Sequence, residues 1–195
     1  MPFDTLLLGT SNAGKLREMR AILQPLGIQV LAPSEVGDIG PPPESGTTLE
    51  ANALAKARYY FQWSGLPTLA DDSGLEVDAL KGAPGVQSAH LAGPQASDSE
   101  NVQKLLHLLA GVADRRARFR TVLAFVPVQG REHLFEGVIE GILTTEPQGT
   151  HGFGYDPVFV PEGSDRTFAQ MTLEEKNRFS HRRRALDAFI RFLKG

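Results

Sequence analysis

Residues Gly9 to Lys15, which read Gly-Thr-Ser-Asn-Ala-Gly-Lys, have the composition of a phosphate-binding loop. They follow the apolar run Thr5–Leu8 and precede apolar residues at helical spacing, which predicts a junction between a strand and the start of a helix. Free backbone N–H groups and the helix dipole favour an anion there, and Lys15 adds a full positive charge. A plain strand-to-helix turn with a surface lysine has the same pattern, so the segment by itself leaves both interpretations open.

This segment matches the P-loop pattern except at the position that binds the metal. Gly9, four intervening residues, Gly14 and Lys15 all fit, but Leu16 stands where a P-loop has the Ser or Thr that holds magnesium. Because a leucine side chain cannot bind a metal ion, any cation must be held by residues elsewhere in the chain.

Carboxylates in two other segments could hold that cation. Glu44 stands just before a predicted helix, and Asp71-Asp72 stand where a predicted strand runs into the turn-forming sequence Asp-Asp-Ser-Gly. Magnesium takes oxygen ligands and usually binds one or two carboxylates together with substrate phosphates. A solvated turn is the alternative interpretation of the two aspartates. Asn52 and Lys56 share one face of the helix after Glu44, which either lines the same site or forms a solvated stripe.

Two segments in the second half of the chain could contact a ligand, one through glycines and aromatic rings and the other through basic side chains. His151–Pro157 places two glycines among aromatic residues, and these suit close backbone approach and stacking on a base, or else the filling of a core at a hairpin end. Lys176 to Arg184 carries five of the 20 Lys and Arg residues around the start of the last predicted helix. A helix start favours anions, so a phosphate-bearing partner explains this placement better than a solvated basic face does.

The elements that must position these residues alternate between strands and helices, which predicts a mixed α/β protein forming one compact unit without a linker or an internal repeat. Helices are predicted to begin near Ala13, at a capping box over Thr47–Glu50, at a second capping box over Ser97–Glu100, and near Ser180. Strands are predicted at 5–8, 28–31, 66–70, 75–79 and 158–160, and the long strands 118–128 and 132–143 form a β-hairpin around Gln129-Gly130.

Composition narrows the functional classes. The formal net charge of −3 over 195 residues argues against a general nucleic-acid binder. No apolar run reaches the length of a membrane span, and the N-terminus has no signal-like block, so we expect a cytoplasmic enzyme with neither a membrane nor a nucleic-acid partner. The absence of cysteine excludes disulfides, thiolate chemistry and zinc sites that need sulfur.

Taken together, the motifs resemble the inosine triphosphate pyrophosphatase family, whose members hydrolyse non-canonical purine nucleoside triphosphates. The resemblance covers nearly the whole chain, in order, through the segments 10–15, 44–53, 70–75 with 82–86, 152–157, and 175–176 with 180–182. It implies an elongated mixed β-sheet with flanking helices, two lobes around a central substrate cleft, and a single domain over 1–195. It also implies a homodimer that uses Mg²⁺ to cut ITP, dITP or XTP at the α-phosphorus, giving the monophosphate and pyrophosphate.

The resemblance also implies a role for each matching residue. Glu44 and Asp72 would hold magnesium, Asp72 would be the catalytic carboxylate, and Ser73 would touch the substrate. The triphosphate would be contacted by Thr10, Ser11, Asn12, Ala13, Gly14, Lys15 and Lys56. The purine and its 6-keto edge would be framed by Phe153, Gly154, Tyr155, Asp156, Lys176, His181 and Arg182.

Two departures from the family pattern leave questions open. Ser88-Ala89-His90-Leu91 stands where the family often has Ser-Ala-Arg-Tyr, so His90 is left unassigned, and Ser11 stands where many members have Gly. The division of roles between Asp71 and Asp72 and the ranking of ITP, dITP and XTP also stay open. The rival hypotheses are a P-loop-like NTPase or kinase acting at the γ-phosphate, and a non-enzymatic nucleic-acid module that uses the basic cluster.

Overall fold

A computed structural model of the chain describes residues 3–37, 39–42 and 46–195. Glu44, the predicted metal ligand, therefore lies outside the described residues. The strands are β1 (Thr5–Leu8), β2 (Gln29–Leu31), β3 (Thr68–Val77), β4 (Arg116–Val126), β5 (His133–Leu143) and β6 (Phe159–Pro161). The helices are α1 (Ala13–Leu23), α2 (Pro33–Val36), α3 (Leu49–Ser64), α4 (Asp98–Leu108), α5 (Leu173–Lys176) and α6 (His181–Lys194).

The six strands form one mixed sheet in the order β2-β1-β3-β4-β5-β6. β1 runs parallel to both of its neighbours, and β6 pairs antiparallel with β5. A parallel strand covered on both faces is apolar throughout, and Leu6, Leu7 and Leu8 of β1 are fully buried. The predicted α/β class, with a mixed sheet and flanking helices, is confirmed.

Local capping residues set most of the helix ends. The Asn12 side chain caps α1, and the Ser97–Glu100 capping box opens α4 as predicted. α3 begins one residue later than its predicted box, because Thr48 rather than Thr47 is the N-cap and accepts a hydrogen bond from the Ala51 backbone.

The prediction of a turn at Asp71–Gly74 was wrong, since β3 runs unbroken through it from Thr68 to Val77. Gly74 is needed there for close approach rather than for turning, because a Cβ at this position would lie 2.4 Å from the Gly85 carbonyl oxygen. Asp71 is fully buried and paired with cations, so it does not need the solvent that a turn would provide.

The described residues group into two compact units, each with its own apolar core. Unit 1 comprises the described residues of Met1–Asp72, Thr121–Gly137 and Arg182–Gly195, and unit 2 comprises Ser73–Arg120 and Val138–His181. The largest buried side chains of the first core include Leu6, Met19, Leu69, Phe125 and Phe189. Those of the second include Leu75, Leu105, Phe159 and Phe168. None of the described helices is long and apolar enough to cross a membrane.

Candidate functional site

The predicted phosphate loop of unit 1 is shaped by its own side chains. The Asn12 backbone N–H donates to Oγ1 of Thr10 (3.2 Å), and the Lys15 N–H donates to Oδ1 of Asn12 (3.0 Å). Gly9 admits no side chain, because a Cβ there would lie 2.8 Å from the Tyr60 ring. Residues 11 to 13 are exposed at the start of α1, so this helix start is open to an anion.

Lys15 belongs to a buried row of alternating charges. Its Nζ lies 2.8 Å from Oδ2 of Asp71, and Nη2 of Arg182 lies 3.5 Å from the same oxygen. Nη1 of Arg182 pairs with Glu18 of α1. The side chains of Asp71, Arg182 and Glu18 are at most 3% exposed. The chain therefore brings α1, β3 and α6 together through charge pairs rather than through apolar contact alone.

The neighbouring charges and the burial of this row shift the pKa values of Asp71 and Lys15. Burial by itself would raise the pKa of Asp71, but Lys15, Arg182 and Lys56 together hold that pKa well below its usual range. Burial lowers the pKa of the Lys15 ammonium, helped by the charges of Lys56 and Arg182, while Asp71 acts in the opposite direction. The charged form of Lys15 thus depends on Asp71.

Asp72, the next residue of β3, has a different set of partners. Its Oδ1 accepts a hydrogen bond from Nζ of Lys56 (2.8 Å) and its Oδ2 from Nδ2 of Asn52 (3.1 Å). The shared face of Asn52 and Lys56 on α3 is therefore directed at Asp72 and is not a solvated stripe. Oδ1 of Asn52 accepts from the backbone N–H of Gly46, two residues after Glu44 in the sequence (2.9 Å).

The surroundings of Asp72 fit a magnesium ion brought together with phosphates. A carboxylate has about four lone-pair directions, and the two hydrogen bonds leave acceptor capacity on each oxygen. The Asp72 side chain is 14% exposed, whereas that of Asp71 is 0% exposed. Within the described ranges, no cluster of three or more His, Cys, Asp or Glu side chains could form a metal cage. One or two carboxylates plus phosphate oxygens is the usual magnesium environment, and this arrangement is compatible with it.

The predicted base-binding residues of unit 2 are organised by a buried ion pair. Oδ2 of Asp156 lies 2.5 Å from Nζ of Lys176, and both side chains are buried. The same oxygen accepts a hydrogen bond from the Phe153 backbone N–H (3.0 Å). Nζ of Lys176 lies 4.8 Å from the centre of the Phe153 ring and 5.2 Å from that of Phe168. The pair thereby fixes both the backbone and the ring face of Phe153.

His181 and Tyr155 are also held on the inside of unit 2. The imidazole of His181 stacks on Phe119, with centroids 4.7 Å apart and an interplanar angle of 14°. The Tyr155 hydroxyl donates to the Ser88 carbonyl (2.7 Å), and burial, with a contribution from Asp98, raises the pKa of that phenol. Tyr155 is thus a buried structural member of the loop, and its role in the core was the alternative that the sequence left open.

Two residues that hold predicted site residues in place, Asp98 and Glu18, were missed by the sequence analysis. In unit 2, Oδ2 of Asp98 accepts a hydrogen bond from the Gly154 N–H (2.7 Å), so the start of α4 holds the predicted base-binding segment 151–157. In unit 1, Glu18 anchors Arg182. The sequence offered a signal for Glu18, because it stands three residues after Lys15 and four before Ile22 and therefore lies on the apolar face of α1. A glutamate on a buried helix face indicates a buried partner.

At least four of the five basic residues in the segment 176–184 pair with carboxylates of the chain itself. Lys176 pairs with Asp156, Arg182 with Glu18 and Asp71, Arg178 with Glu174, and Arg183 with Asp187. This corrects the interpretation that a phosphate-bearing partner accounts for the placement of the whole cluster. The roles of Lys176 and Arg182 toward a substrate stay predictions, as does that of Ser73, which is half-buried on β3. His90 is exposed at the end of a 3-10 helix over Gly85–His90.

Comparisons with known proteins agree over nearly the whole chain. The chain is 48% identical over 189 residues to a dITP/XTP pyrophosphatase of Syntrophobacter fumaroxidans, covering 95% of this chain and 80% of that protein. A dITP/XTP pyrophosphatase of Porphyromonas gingivalis is 46% identical over 97% of both chains. The solved structure of the Staphylococcus aureus Ham1 protein has a TM-score of 0.87 at 36% identity, covering 98% of each chain. The profile of the Ham1 family matches residues 6–192, and the chain belongs to this family.

Proposed function

We propose that this protein is a nucleoside-triphosphate pyrophosphatase that hydrolyses dITP, ITP and XTP to the monophosphate and pyrophosphate. The observation that carries the proposal is the pairing of two consecutive aspartates with two different lysines. Asp71 is buried against Lys15 of the phosphate loop, and Asp72 is partly accessible and held by Lys56. Full-length relatives named dITP/XTP pyrophosphatases support this choice of substrate.

The phosphate-binding half of the proposal follows from the start of α1. The exposed start of α1 at residues 11 to 13 would bind phosphate oxygens through backbone N–H groups, and Lys15 would place its ammonium beside them. Preorganised donors of this kind stabilise the charge that develops on phosphate oxygens at the transition state. Asp71 would take no part in the chemistry and would keep Lys15 charged and in place.

Asp72 is the residue proposed to act on water. Lys56 and Asn52 fix both of its oxygens, so the carboxylate would orient a water molecule for attack at the α-phosphorus and accept its proton. A magnesium ion bound by Asp72, and by Glu44 outside the described residues, would neutralise phosphate charge and polarise the phosphorus. The proposed attack breaks the bond between the α-phosphorus and the bridging oxygen, and the two terminal phosphates leave as pyrophosphate.

Base selection is assigned to unit 2. The Phe153 ring, oriented by Asp156 and Lys176, would stack on the purine, while hydrogen-bond donors of the same region would meet a 6-keto oxygen. Adenine presents a 6-amino group, so those donors would be left unpaired at a cost of about 1–3 kcal/mol each. Several such losses together would reject ATP strongly.

The remaining parts of the proposal concern organisation. We propose that residues 1–195 form one functional domain and that the protein acts as a homodimer, as the family resemblance implies. We also propose that it works in the cytoplasm, as its composition predicts. Light scattering coupled to size exclusion measures the mass directly. A single species near the chain mass of 21.2 kDa would contradict the dimer.

Product analysis tests the activity. The protein is incubated with dITP, XTP, GTP and ATP, with and without magnesium, and pyrophosphate and orthophosphate are measured separately. We expect magnesium-dependent pyrophosphate release from dITP and XTP, with ATP slower by at least about two orders of magnitude. Orthophosphate release from ATP would instead support a γ-phosphate NTPase. Salt-sensitive nucleic-acid binding without turnover would support the binding module.

A further inference from the structure

A buried glutamate lies one turn beyond Lys15 on α1, and the proposed mechanism gives it no task. Glu18 is 2% exposed, and its carboxylate pairs with the Arg182 guanidinium, which is 1% exposed. Replacing a buried ion pair with apolar residues of similar volume is often neutral or stabilising. Packing alone therefore does not explain why these two positions carry charge.

The geometry around Asp71 indicates what the pair does. Lys15 and Arg182 approach the same carboxylate oxygen, Oδ2 of Asp71, at 2.8 Å and 3.5 Å. The two cations therefore share one carboxylate oxygen, and the lysine holds the closer position. Glu18 binds the other side of the guanidinium, at Nη1, and so draws Arg182 away from the shared oxygen.

We propose that Glu18 is a positioning residue that reserves Asp71 for Lys15 by holding Arg182 away from it. Arginine stays protonated in proteins, so a guanidinium without Glu18 would have to find another anion. Asp71 is the carboxylate already beside it. Lys15 would then lose its close contact and with it the orientation that the phosphate loop needs. The inference rests on the proposed function only in assigning Lys15 to the substrate phosphates.

The expected effect on Lys15 has a definite sign. The charged groups that act on its ammonium are Asp71 on β3, Lys56 on α3 and Arg182 on α6. Glu18, on the next turn of α1, is paired with that Arg182. Removing the charge of Glu18 takes one carboxylate from Arg182, turns that guanidinium toward Asp71 and weakens the hold of Asp71 on Lys15. Both changes disfavour the ammonium form, so Lys15 should lose its proton at lower pH.

The test is the isosteric variant Glu18→Gln, with Glu132→Gln as its matched control. Glu132 pairs with Arg58 at 2.6 Å on a more exposed part of unit 1. The titration of Lys15 is followed by NMR with lysine labelled at the ε-carbon, its signal identified by its loss in Lys15→Met. The alkaline limb of kcat/KM for dITP is measured alongside.

We expect Glu18→Gln to lower the midpoint of the Lys15 NMR titration by about 0.5–1 pH unit. The alkaline limb of the kcat/KM profile should move to lower pH as well. Glu132→Gln should move neither. A Glu18→Gln protein that is less stable to heat but titrates like the wild type would overturn the proposal, because it would show a purely structural glutamate.

The double variant Glu18→Gln/Arg182→Gln removes both the competing cation and its partner. We expect its Lys15 midpoint to lie at or above that of the wild type, even if the single variant does not fold. A lowered midpoint in the double variant would refute the competition argument. The NMR readout does not require turnover, so a wild-type protein without pyrophosphatase activity would refute the proposed function while leaving the role of Glu18 open to this test.

Discussion

Replacing each of the two consecutive aspartates by asparagine should separate chemistry from stability. Asp72→Asn removes the proposed base and metal ligand at a side chain that is 14% exposed, and Asp71→Asn removes the counter-ion of Lys15 at a side chain that is 0% exposed. Asparagine keeps the shape of aspartate and one acceptor oxygen, but it removes the charge and replaces the second oxygen by an NH2 donor. The two variants therefore test the division of roles that the sequence left open.

The magnitudes follow from the contacts. A general base contributes about 10²–10⁴-fold to the rate, so Asp72→Asn should lower kcat by at least about 100-fold. It should also lower the free energy of unfolding by about 1–2 kcal/mol, a loss between those measured for exposed and for buried ion pairs. Asp71→Asn leaves the buried Arg182 and Lys15 without their shared carboxylate and should cost about 3–5 kcal/mol. That is a large part of a total stability of about 5–15 kcal/mol.

Urea unfolding and single-turnover pyrophosphate release provide the two measurements. The control is Asp187→Asn, which breaks an exposed ion pair with Arg183 on α6. It should change neither the free energy of unfolding nor the activation free energy of the reaction by more than about 0.5 kcal/mol. If Asp72→Asn kept kcat within tenfold of the wild type, Asp72 would be neither base nor metal ligand. Equal unfolding midpoints for Asp71→Asn and the wild type would show that the buried row of charges does not stabilise unit 1.

Acid sensitivity adds a check on Asp71. Its pKa is depressed in the folded protein, so the unfolded chain takes up the proton first as the pH falls below about 4. The stability contributed by Asp71 is therefore fully present above that pH and is lost as the pH falls toward the folded-state pKa. The difference in unfolding free energy between the wild type and Asp71→Asn should shrink steadily below pH 4. A difference independent of pH would mean that the charge of Asp71 is not what matters.

Three further predictions concern unit 2. Lys176→Met should lower the free energy of urea unfolding by about 3–5 kcal/mol because it leaves the Asp156 carboxylate buried without its cation. Replacing both residues together should lower it by less than the sum of the two single changes. Gly152→Ala should be destabilising by at least about 1 kcal/mol, since φ is +75° there and a Cβ would lie 2.1 Å from Oδ2 of Asp156; an unchanged melting temperature would contradict this. Asp98→Ala should release the Gly154 N–H and lower the ratio of kcat/KM for dITP to kcat/KM for ATP by at least about fivefold, with little change in kcat for dITP. An equal loss of kcat/KM for both substrates would point to a general folding defect.

Capping signals and apolar spacing predicted most of the elements because they act over a few neighbouring residues. The strand-to-helix junction at Gly9–Lys15, the capping box over Ser97–Glu100 and the start of α6 all lie where the sequence placed them. The prediction of a turn at Asp71–Gly74 was wrong because contacts with residues distant in the sequence decide the conformation there. Its residues favour a turn when considered alone, but a buried ion pair and the close approach of Gly85 keep them extended.

The sequence by itself identified the residue types of a nucleotide hydrolase and, through its ordered motifs, the family to which the chain belongs. Only the tertiary structure decided how the charges are paired, because an ion pair depends on distance in space and its partners can lie far apart in the chain. Glu18 and Arg182 are separated by 164 positions, and no local pattern joins them. The same distance dependence separates Asp71 from Asp72: neighbours in sequence, they are distinguished by their burial and by the different lysines that they contact.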